Sequence, residues 1–517
     1  NASGRTLQLA DNLTLAGDLT ITAGTFTTTG SNHALTVTGA TVVNGTLICN
    51  ASAVATTNLS GSGTLECDTS TITLAAGGDV QVSTINMDAA TILGLGAEGA
   101  FNLFGAAGST INISGTSAAS ITCRRFGGAW AADGNSTVTL RDAGHTSSLV
   151  SGSLYNLVVN GASDTFTLGA ACTVANNLTI TAGTLTTSGS HYALTVGSGN
   201  LSASLGHVSV SGILLCNNSV CSFGSVKIES GGSMTAPNAA MTIRSETAGL
   251  ALYNLGTFIH GGNQIQITGP TDSHTTIKGF TSSHPLSNLY INNAGSNVTT
   301  FIEGATEIEG YLYLQDGTFD TQGQGPLDVT GDVTVNNGTI FNGRTSTISH
   351  GSLTIASGGT YIATSGTTTL TTSGATGTRS FFNNGGTFTH NNGTIKIDTA
   401  VATNYMFDED DLYNFTVECE DSNGALNCDG ESATPVTVLN NLDIVMGILR
   451  TNGSSFTVHG NVYVRATSKT NKNKFVGQGV TQNVYGLITV EDGAFYDLAN
   501  QGSGSYGTLN AGGIRIL

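Results

Sequence analysis

The sequence predicts an all-β protein whose chain winds into a parallel β-helix (β-solenoid) built from four super-repeats of about 130 residues, the last one incomplete. Three observations support this fold class. The composition is rich in residues that favour strands and turns. Short segments alternate apolar and polar residues along most of the 517 residues. Long stretches of the sequence also repeat one another in a fixed order, which favours one repeated β unit over several unrelated domains.

The composition favours strands joined by tight turns. The chain contains 70 glycines but only 5 prolines, and only 10% of its residues are charged. Thr, Val and Ile favour strands because a β-branched side chain fits a pleated surface. Gly and Asn favour turns because they tolerate positive φ. Apolar residues make up 39% of the chain and alternate with polar ones, so they can bury a core, and this argues against disorder.

Short alternating segments recur about every 8 to 12 residues, separated by turns that contain Gly or Asn. Leu19-Thr-Ile21, Leu35-Thr-Val37 and Val333-Thr-Val335 are examples. One such strand cannot bury its apolar side alone, but stacked coils align the inward residues into continuous rows. We therefore expect Leu, Ile and Val to point inward and Thr to point outward.

The super-repeat rests on signatures that keep their order along the chain. Residues 19–28 match residues 178–187, and weaker copies begin at Leu312 and Leu442. A Leu-x-Asn-Leu/Phe signature begins at Leu154, Leu286 and Leu412. The predicted boundaries are 1–150, 151–285, 286–411 and 412–517. Four β-sandwiches are the alternative, but the strand unit is itself repetitive and proline is scarce, which favours the solenoid.

The charge and hydropathy exclude several classes of partner. A formal net charge of −18 with no basic run disfavours nucleic acid and anionic membrane surfaces. No apolar run reaches about 18 residues, so we expect no membrane span. The chain begins at Asn1 without Met, and we expect a processed or excised segment.

The cysteines predict disulfides in an oxidising compartment, with buried free thiols as the alternative. No Cys-x-x-Cys pair is present, so zinc is disfavoured. Cys49 and Cys67 lie about one coil apart, Cys216/Cys221 and Cys419/Cys428 would close tight loops, and Cys123 would have to meet Cys172. The eight candidates are Cys49, Cys67, Cys123, Cys172, Cys216, Cys221, Cys419 and Cys428.

The repeated motifs resemble those of a known class of protein. They read Asn-Leu-x-Ile-x-x-Gly-Thr-Leu, then Ala-Leu-Thr-Val-x-Gly, and later Gly-Thr-Phe-x-His-x-x-Gly-x-Ile-x-Ile. This pattern resembles repeats of bacterial surface proteins of the filamentous-haemagglutinin and autotransporter-adhesin type, and it is similar to repeats of environmental phage tail fibres. The resemblance implies an extended β-helical shaft exposed outside the cell or on a virion, and it carries over no catalytic residue.

The expected function is therefore non-enzymatic and structural. We expect an extracellular shaft of a surface adhesin, appendage or filament, without a cofactor. The segment 513–517 ends on an alternating strand, and an open strand edge invites head-to-tail self-association or contact with other surface proteins. The alternative is a phage tail fibre or spike on a virion that binds a host receptor or glycan.

A polysaccharide-degrading β-helix enzyme is the second alternative, since its chemistry needs converging carboxylates. The candidate acids are Glu303, Glu307, Glu309, Asp316 and Asp320, with a solvated polar face as the simpler interpretation. The acidic run that contains Asp408, Asp410 and Asp411 could supply the oxygen ligands of Ca²⁺, with a charged loop as the simpler interpretation.

Overall fold

The computed structural model shows the predicted β-solenoid. The residues that it describes are 3–75, 79–87, 91–94, 101–104, 110–113, 120–127, 129–132, 137–140, 146–149, 152–154, 156–168, 171–174, 176–187, 192–196, 207–244, 249–269, 274–293, 299–371, 380–399, 405–406, 411–419, 425–427, 435–451, 455–466, 473–477, 480–498 and 507–517. All regular elements within these ranges are strands, and no helix occurs in them. The all-β prediction is confirmed.

The chain divides into two compact units. The first comprises Asn1–Glu246 with Leu250–Asn263, and the second comprises Thr247–Gly249 with Gln264–Leu517. The division falls inside the predicted super-repeat 151–285, and the four super-repeat boundaries stay predictions.

Most strands of the first unit are short. In chain order, the strands are β1 (Thr6–Gln8), β2 (Leu13–Leu15), β3 (Leu19–Ile21), β4 (Thr25–Thr27), β5 (Leu35–Val37), β6 (Thr41–Val43), β7 (Thr46–Ile48), β8 (Ala53–Thr56), β9 (Leu59–Asp68), β10 (Thr71–Leu74), β11 (Asp79–Met87), β12 (Thr91–Gly94), β13 (Phe101–Phe104), β14 (Thr110–Ile113), β15 (Ser120–Gly127), β16 (Ala129–Ala132), β17 (Thr137–Leu140), β18 (Thr146–Leu149), β19 (Gly152–Leu154), β20 (Asn156–Leu168), β21 (Cys172–Val174), β22 (Leu178–Thr186), β23 (Leu194–Val196), β24 (His207–Val210), β25 (Ile213–Leu215), β26 (Cys221–Phe223), β27 (Ser225–Ile228), β28 (Ser233–Thr235), β29 (Met241–Ile243), β30 (Gly249–Asn254) and β31 (Thr257–Ile259). The longest, such as β9 and β20, continue through a corner from one face to the next.

The second unit continues with strands of similar length. They are β32 (Gln264–Ile267), β33 (Thr275–Lys278), β34 (Asn288–Asn292), β35 (Thr299–Glu303), β36 (Thr306–Ile308), β37 (Leu312–Asp316), β38 (Thr318–Asp320), β39 (Leu327–Val329), β40 (Val333–Val335), β41 (Ile340–Asn342), β42 (Ile348–His350), β43 (Leu353–Ile355), β44 (Thr360–Ile362), β45 (Thr367–Leu370), β46 (Phe381–Asn383), β47 (Thr387–Thr389), β48 (Thr394–Thr399), β49 (Tyr405–Met406), β50 (Asp411–Leu412), β51 (Asn414–Cys419), β52 (Ala425–Asn427), β53 (Val436–Val438), β54 (Leu442–Met446), β55 (Ile448–Arg450), β56 (Phe456–Val458), β57 (Val462–Val464), β58 (Lys474–Val476), β59 (Gln482–Val490), β60 (Phe495–Asp497) and β61 (Leu509–Ile516).

Three parallel ladders make the faces of the first unit. They begin with β1–β4–β7, β2–β5–β8 and β3–β6–β9, and successive members lie one coil apart. Thr6 pairs with Thr25 and Leu13 pairs with Leu35, so a coil takes roughly 20 residues. Each coil therefore crosses three faces and turns three corners.

The second unit has the same three-sided plan. One ladder runs β34–β37–β40–β43–β46, and another runs β35–β38–β41–β44–β47. The third runs β36–β39–β42–β45–β48–β51–β54–β57–β59–β61. The remaining coils are completed by the ladders β50–β53–β56–β59 and β52–β55–β58–β60.

The interior follows the predicted alternation. Leu35 and Val37 are buried while Thr36 between them is half-buried, and Val333 and Val335 repeat this arrangement. In the second unit, identical positions on successive coils also stack aromatic rings. Phe319 stacks on Phe341 at 5.7 Å, Phe341 on Tyr361 at 4.5 Å, and Tyr361 on Phe388 at 6.1 Å between ring centroids. The core is thus a set of side-chain rows that run from coil to coil.

Glycine is required at one corner of the first unit because successive coils approach closely there. A Cβ on Gly45 would lie 2.3 Å from the carbonyl oxygen of Gly24, and a Cβ on Gly63 would lie 1.9 Å from that of Gly45. Gly24 itself has a φ of +78°. Glycine is thus needed at this corner for two reasons: the positive φ at Gly24, and the close approach of the next coil at Gly45 and Gly63.

Equivalent residues of successive super-repeats lie on different faces. Leu19 belongs to the ladder β3–β6–β9, whereas its equivalent Leu178 belongs to the ladder β2–β5–β8–β10–β12–β15–β17–β20–β22. In the second unit, Leu312 lies in the ladder of β37 and Leu442 in that of β54. A super-repeat is therefore not a whole number of coils, and each one displaces the pattern by one face.

Candidate functional site

The five candidate acids do not converge on one site. Glu303 lies in β35 and Asp320 in β38, which share one ladder, and Asp316 ends β37 in another. Glu307 lies in β36, and Glu309 follows that strand. The third repeat packs these residues into a short sequence, but the chain turns a corner every few residues and distributes them over three faces.

Two of these acids are committed to ion pairs between coils. Asp320 is only 4% exposed, and it accepts hydrogen bonds from the Arg344 guanidinium at 3.0 Å (Nε) and 2.8 Å (Nη2). Glu303 Oε2 lies 2.9 Å from Lys278 Nζ. In both pairs the basic residue stands one coil away, so these carboxylates hold neighbouring coils together.

Glu307 has a different environment. It is the register partner of Asp328 on the next coil, on the outer side of the ladder. Partial burial raises the pKa of Glu307, and the nearby Asp328 and Glu309 carboxylates raise it further. Like charges directly opposite one another in a sheet are unfavourable, so coil stacking does not explain this pair.

The proposed calcium ligands fall mostly outside the described residues. Asp408 and Asp410 lie there, while Asp411 is an exposed residue of β50. Within the described part of the chain, no group of three or more His, Cys, Asp and Glu residues could hold a metal ion. The calcium site stays a prediction.

Six of the eight cysteines are described together with their side chains, and all six are buried free thiols: Cys49, Cys67, Cys172, Cys216, Cys221 and Cys419. The side chain of Cys123 and the whole of Cys428 lie outside the described part. The structure thus forms no disulfide among the cysteines that it describes, in contrast to the prediction. The backbone also places Cys123 in β15 and Cys172 in β21, which belong to different ladders.

The register places Cys49 and Cys67 opposite each other on adjacent coils. Ile48 pairs with Glu66, so the two cysteines that follow stand opposite each other on adjacent coils, as their spacing predicted. Side chains of register partners in parallel strands run side by side about 4.8 Å apart, whereas a disulfide brings the two Cβ atoms to about 3.5–4.5 Å. A disulfide here would therefore require the two side chains to turn toward each other.

An asparagine row explains the Leu-x-Asn-Leu/Phe signature. Asn414 Oδ1 accepts a hydrogen bond from the backbone N–H of Asn441 at 3.3 Å, and Asn441 Oδ1 accepts one from Asn461 N–H at 2.9 Å. In the first unit, Asn156 Oδ1 accepts from the N–H of Asn177 in the same way. Each asparagine satisfies a backbone donor at a corner, where the ladder bonds are interrupted. The sequence shows the repeated asparagine but not its partner one coil away.

Basic side chains bridge the coils of the last part of the second unit. Lys396 Nζ lies 2.7 Å from Asp398 and 2.6 Å from Glu418 on the next coil. Arg465 donates to both oxygens of Asp443 at 2.8 and 2.9 Å, and its Nη1 lies 3.6 Å from Glu491. The guanidinium group of Arg465 thus contacts carboxylates on the coil before it and the coil after it.

A tyrosine and glutamine surface covers adjacent coils of the second unit. Tyr290 and Tyr313 stack with their ring centroids 5.0 Å apart, and Tyr290 donates to Gln315 Oε1 at 3.2 Å. Tyr311 is 38% exposed and donates to Gln264 Oε1 at 3.4 Å. Tyr290 and Tyr313 thus each cover one face of the other's ring, and the hydroxyl groups of Tyr290 and Tyr311 are bonded to glutamine side chains.

The strand β61 borders an apolar cavity of about 440 Å³ in the second unit. Ile514 is 58% exposed and Ile516 is 79% exposed. Both line the cavity together with Phe495 and Leu509.

Comparison with known proteins gives no match to a family model, to a curated protein or to a solved structure. Among the residues that the structure describes, no helix is long and apolar enough to cross a membrane.

Proposed function

We propose that this chain is a non-enzymatic extracellular structural protein, a rigid β-solenoid shaft of a surface adhesin, appendage or filament. The observation that carries the proposal is the use of its polar groups. Asp320, Glu303, Lys396 and Arg465 each bond to a residue on a neighbouring coil. In a binding or catalytic site such charged side chains would point toward a ligand. Here they form ion pairs between neighbouring coils.

These contacts suit a mechanical role. Each parallel ladder supplies backbone hydrogen bonds between coils, and the asparagine row adds side-chain bonds where the ladders are interrupted. A buried hydrogen bond contributes about 1 kcal/mol, and repetition over many coils multiplies that contribution because each coil contacts only its neighbours. The product is a column that resists bending and local opening.

The extracellular location and the surface-protein class rest on the repeated motifs alone. Self-association is part of the same proposal, because apolar residues such as Ile514 and Ile516 are exposed on β61. An exposed apolar strand edge pairs readily with another strand.

The test is to purify the full chain and measure its molar mass by light scattering, its scattering profile by small-angle X-rays, and its form by electron microscopy. We expect elongated particles, and an axial repeat where they join end to end. Compact particles with a globular scattering profile would refute the shaft. Stable trimers would instead favour the phage tail-fibre alternative.

A second candidate function is polysaccharide cleavage, and one observation favours it. Glu307 combines a raised pKa with a second carboxylate, Asp328, in register beside it. Two neighbouring carboxyl groups, one of them with a raised pKa, are the kind of pair that glycoside hydrolysis uses.

This candidate is tested by incubating the chain with a panel of polysaccharides and measuring new reducing ends. If the activity exists at this pair, Glu307→Gln abolishes it. Asp316→Asn, on another face, leaves it unchanged and serves as the matched control. Absence of product from every polysaccharide removes this candidate and leaves the structural proposal standing.

A further inference from the structure

Three corners of the first unit share one local sequence and one backbone turn. They read Cys49-Asn-Ala-Ser52, Cys67-Asp-Thr-Ser70 and Cys216-Asn-Asn-Ser219. In each, the serine N–H donates to the carbonyl of the cysteine, at 3.0, 2.9 and 3.1 Å respectively. The residue after each cysteine has positive φ, a conformation that Asn and Asp tolerate better than other residues with a side chain.

The turn fixes where the chain points afterwards. Five residues beyond Cys49 the inward position holds Val54, and five residues beyond Cys67 it holds Ile72, both fully or almost fully buried. Beyond Cys216 the same inward position holds Cys221, which is 0% exposed. The third corner alone thus places a second thiol where the other two place an aliphatic side chain.

Both thiols of this corner lie on its inner side, where each residue is 0% exposed. The neighbouring Cys221 thiol, together with burial, raises the pKa of Cys216. Cys49 and Cys67 lie on separate coils, whereas Cys216 and Cys221 belong to one coil and are connected through the corner residues 217–220. The backbone of both is bonded to neighbouring coils, so rotation of the two side chains, without movement of a ladder, is what brings the sulfurs to bonding distance.

We propose that Cys216 and Cys221 form a disulfide across this corner in an oxidising medium, while Cys49 and Cys67 stay thiols. With a low-molecular-weight disulfide such as glutathione disulfide as oxidant, the thiolate of one cysteine attacks a sulfur of the oxidant and releases one glutathione thiolate. The second cysteine, once deprotonated, attacks the protein sulfur of that mixed disulfide and releases the second glutathione. Two cysteine thiols are oxidised, and one glutathione disulfide is reduced to two glutathiones.

The timing follows from burial. Both sulfurs are inaccessible in the folded coil, and a protonated, buried thiol reacts slowly. The bond therefore closes while the chain folds, when the corner is formed but still open to the oxidant. In the finished fold it is shielded from reductants for the same reason. This inference is independent of the proposed shaft function, because it concerns one corner and holds for an enzyme or a tail fibre as well.

The experiment uses the full chain, refolded in parallel with glutathione disulfide and with reduced glutathione. Free thiols are alkylated after denaturation, and the protein is digested with trypsin. No Lys or Arg lies between Arg141 and Lys227, so one tryptic peptide carries Cys172, Cys216 and Cys221. In a Cys172→Ala variant that peptide holds only the proposed pair.

We expect the oxidised sample of Cys172→Ala to yield this peptide unalkylated and about 2 Da lighter than the peptide with two thiols. The peptide from the reduced sample should carry two alkyl groups. Cys49 and Cys67 should be alkylated in both samples. Cys216→Ser within the same background removes the mass change. Two alkylated thiols in the oxidised Cys172→Ala peptide, or a crosslink from Cys216 to Cys49 or Cys67, would overturn the proposal. If a variant fails to fold, the wild-type peptide decides, since the proposal requires it to carry one alkyl group, on Cys172.

Discussion

His350 and Tyr361 are joined inside the second unit by a hydrogen bond of 3.2 Å between Nε2 and the tyrosine hydroxyl. The other ring nitrogen, Nδ1, lies 3.1 Å from the carbonyl oxygen of Ser352 and must donate to it. Nε2 therefore accepts a hydrogen bond from the tyrosine hydroxyl group. This neutral imidazole is completely buried. Its neighbours in the same row, Val329 and Leu370, are apolar. The first prediction concerns this histidine.

Burial lowers the pKa of His350 from 6.5 to about 4, although the Ser352 carbonyl and Asp332 act in the opposite direction. Because the folded pKa lies below the unfolded one, the unfolded chain binds the proton more tightly. The stability that the neutral His350 provides is complete above about pH 6.5 and is lost as the pH falls toward 4. The pKa difference corresponds to about 3 kcal/mol. Urea unfolding of wild type and His350→Gln between pH 7 and 4 should show that loss in wild type only.

The matched control is His459→Gln, an exposed histidine of the same unit. It should retain the wild-type dependence on pH. Equal dependence in wild type and His350→Gln would refute the role of the buried imidazole.

The glycine corner predicts a second effect. Gly45→Ala forces a methyl group to 2.3 Å from the Gly24 carbonyl oxygen, and overpacking of this kind costs about 1–3 kcal/mol. Gly17→Ala in the same unit adds a methyl group with no heavy atom within 4 Å, so its effect should stay within about 0.5 kcal/mol. Thermal unfolding of both variants gives the comparison, and similar melting temperatures would contradict the close approach of the coils.

The third prediction concerns the ion pair between Asp320 and Arg344. Arg344→Met leaves a carboxylate that is 4% exposed without its guanidinium partner, and we expect a loss of about 2 kcal/mol. Lys278→Met removes the partner of Glu303, which is 33% exposed, and water can replace that partner, so the loss should be below about 1 kcal/mol. Denaturant titrations measure both values. The double variant Asp320→Asn/Arg344→Met should recover part of the larger loss.

The thiols provide a fourth prediction. Burial raises the pKa of Cys49 to about 12, and burial raises the pKa of Cys172 to about 12 as well. In the folded protein at pH 8, both should resist iodoacetamide for hours, and both should be alkylated within minutes in 6 M guanidinium chloride. Peptide mapping of the two samples reports each cysteine separately. Rapid labelling of Cys49 in the folded chain would contradict its burial.

The sequence predicts the parts of this fold that depend on near neighbours. The alternation in Leu35-Thr-Val37 indicates both a strand and its inward side, because side chains of a strand point to opposite faces in turn. The corner asparagines are visible as a signature. Their partners are not, because each lies one coil away and the coil length varies. Asn177 bonds to His207, whereas Asn156 bonds to Asn177.

The candidate acids show the same difficulty, because their neighbours also depend on how the coils stack. Glu303 and Glu307 are close in sequence, yet the chain turns a corner between them and they lie in different ladders. Glu307 and Asp328 are distant in sequence and come into register. Predicting that pair would require the length of every corner between them, which hydrophobic alternation does not encode.

The displacement of successive super-repeats by one face has a consequence for anything that would recognise the repeated motif. Leu19 and Leu178 belong to different faces of the first unit, as Leu312 and Leu442 do in the second. The outward residues beside them therefore also lie on different faces, and a receptor or antibody that binds the motif cannot contact both copies of one unit along a single face.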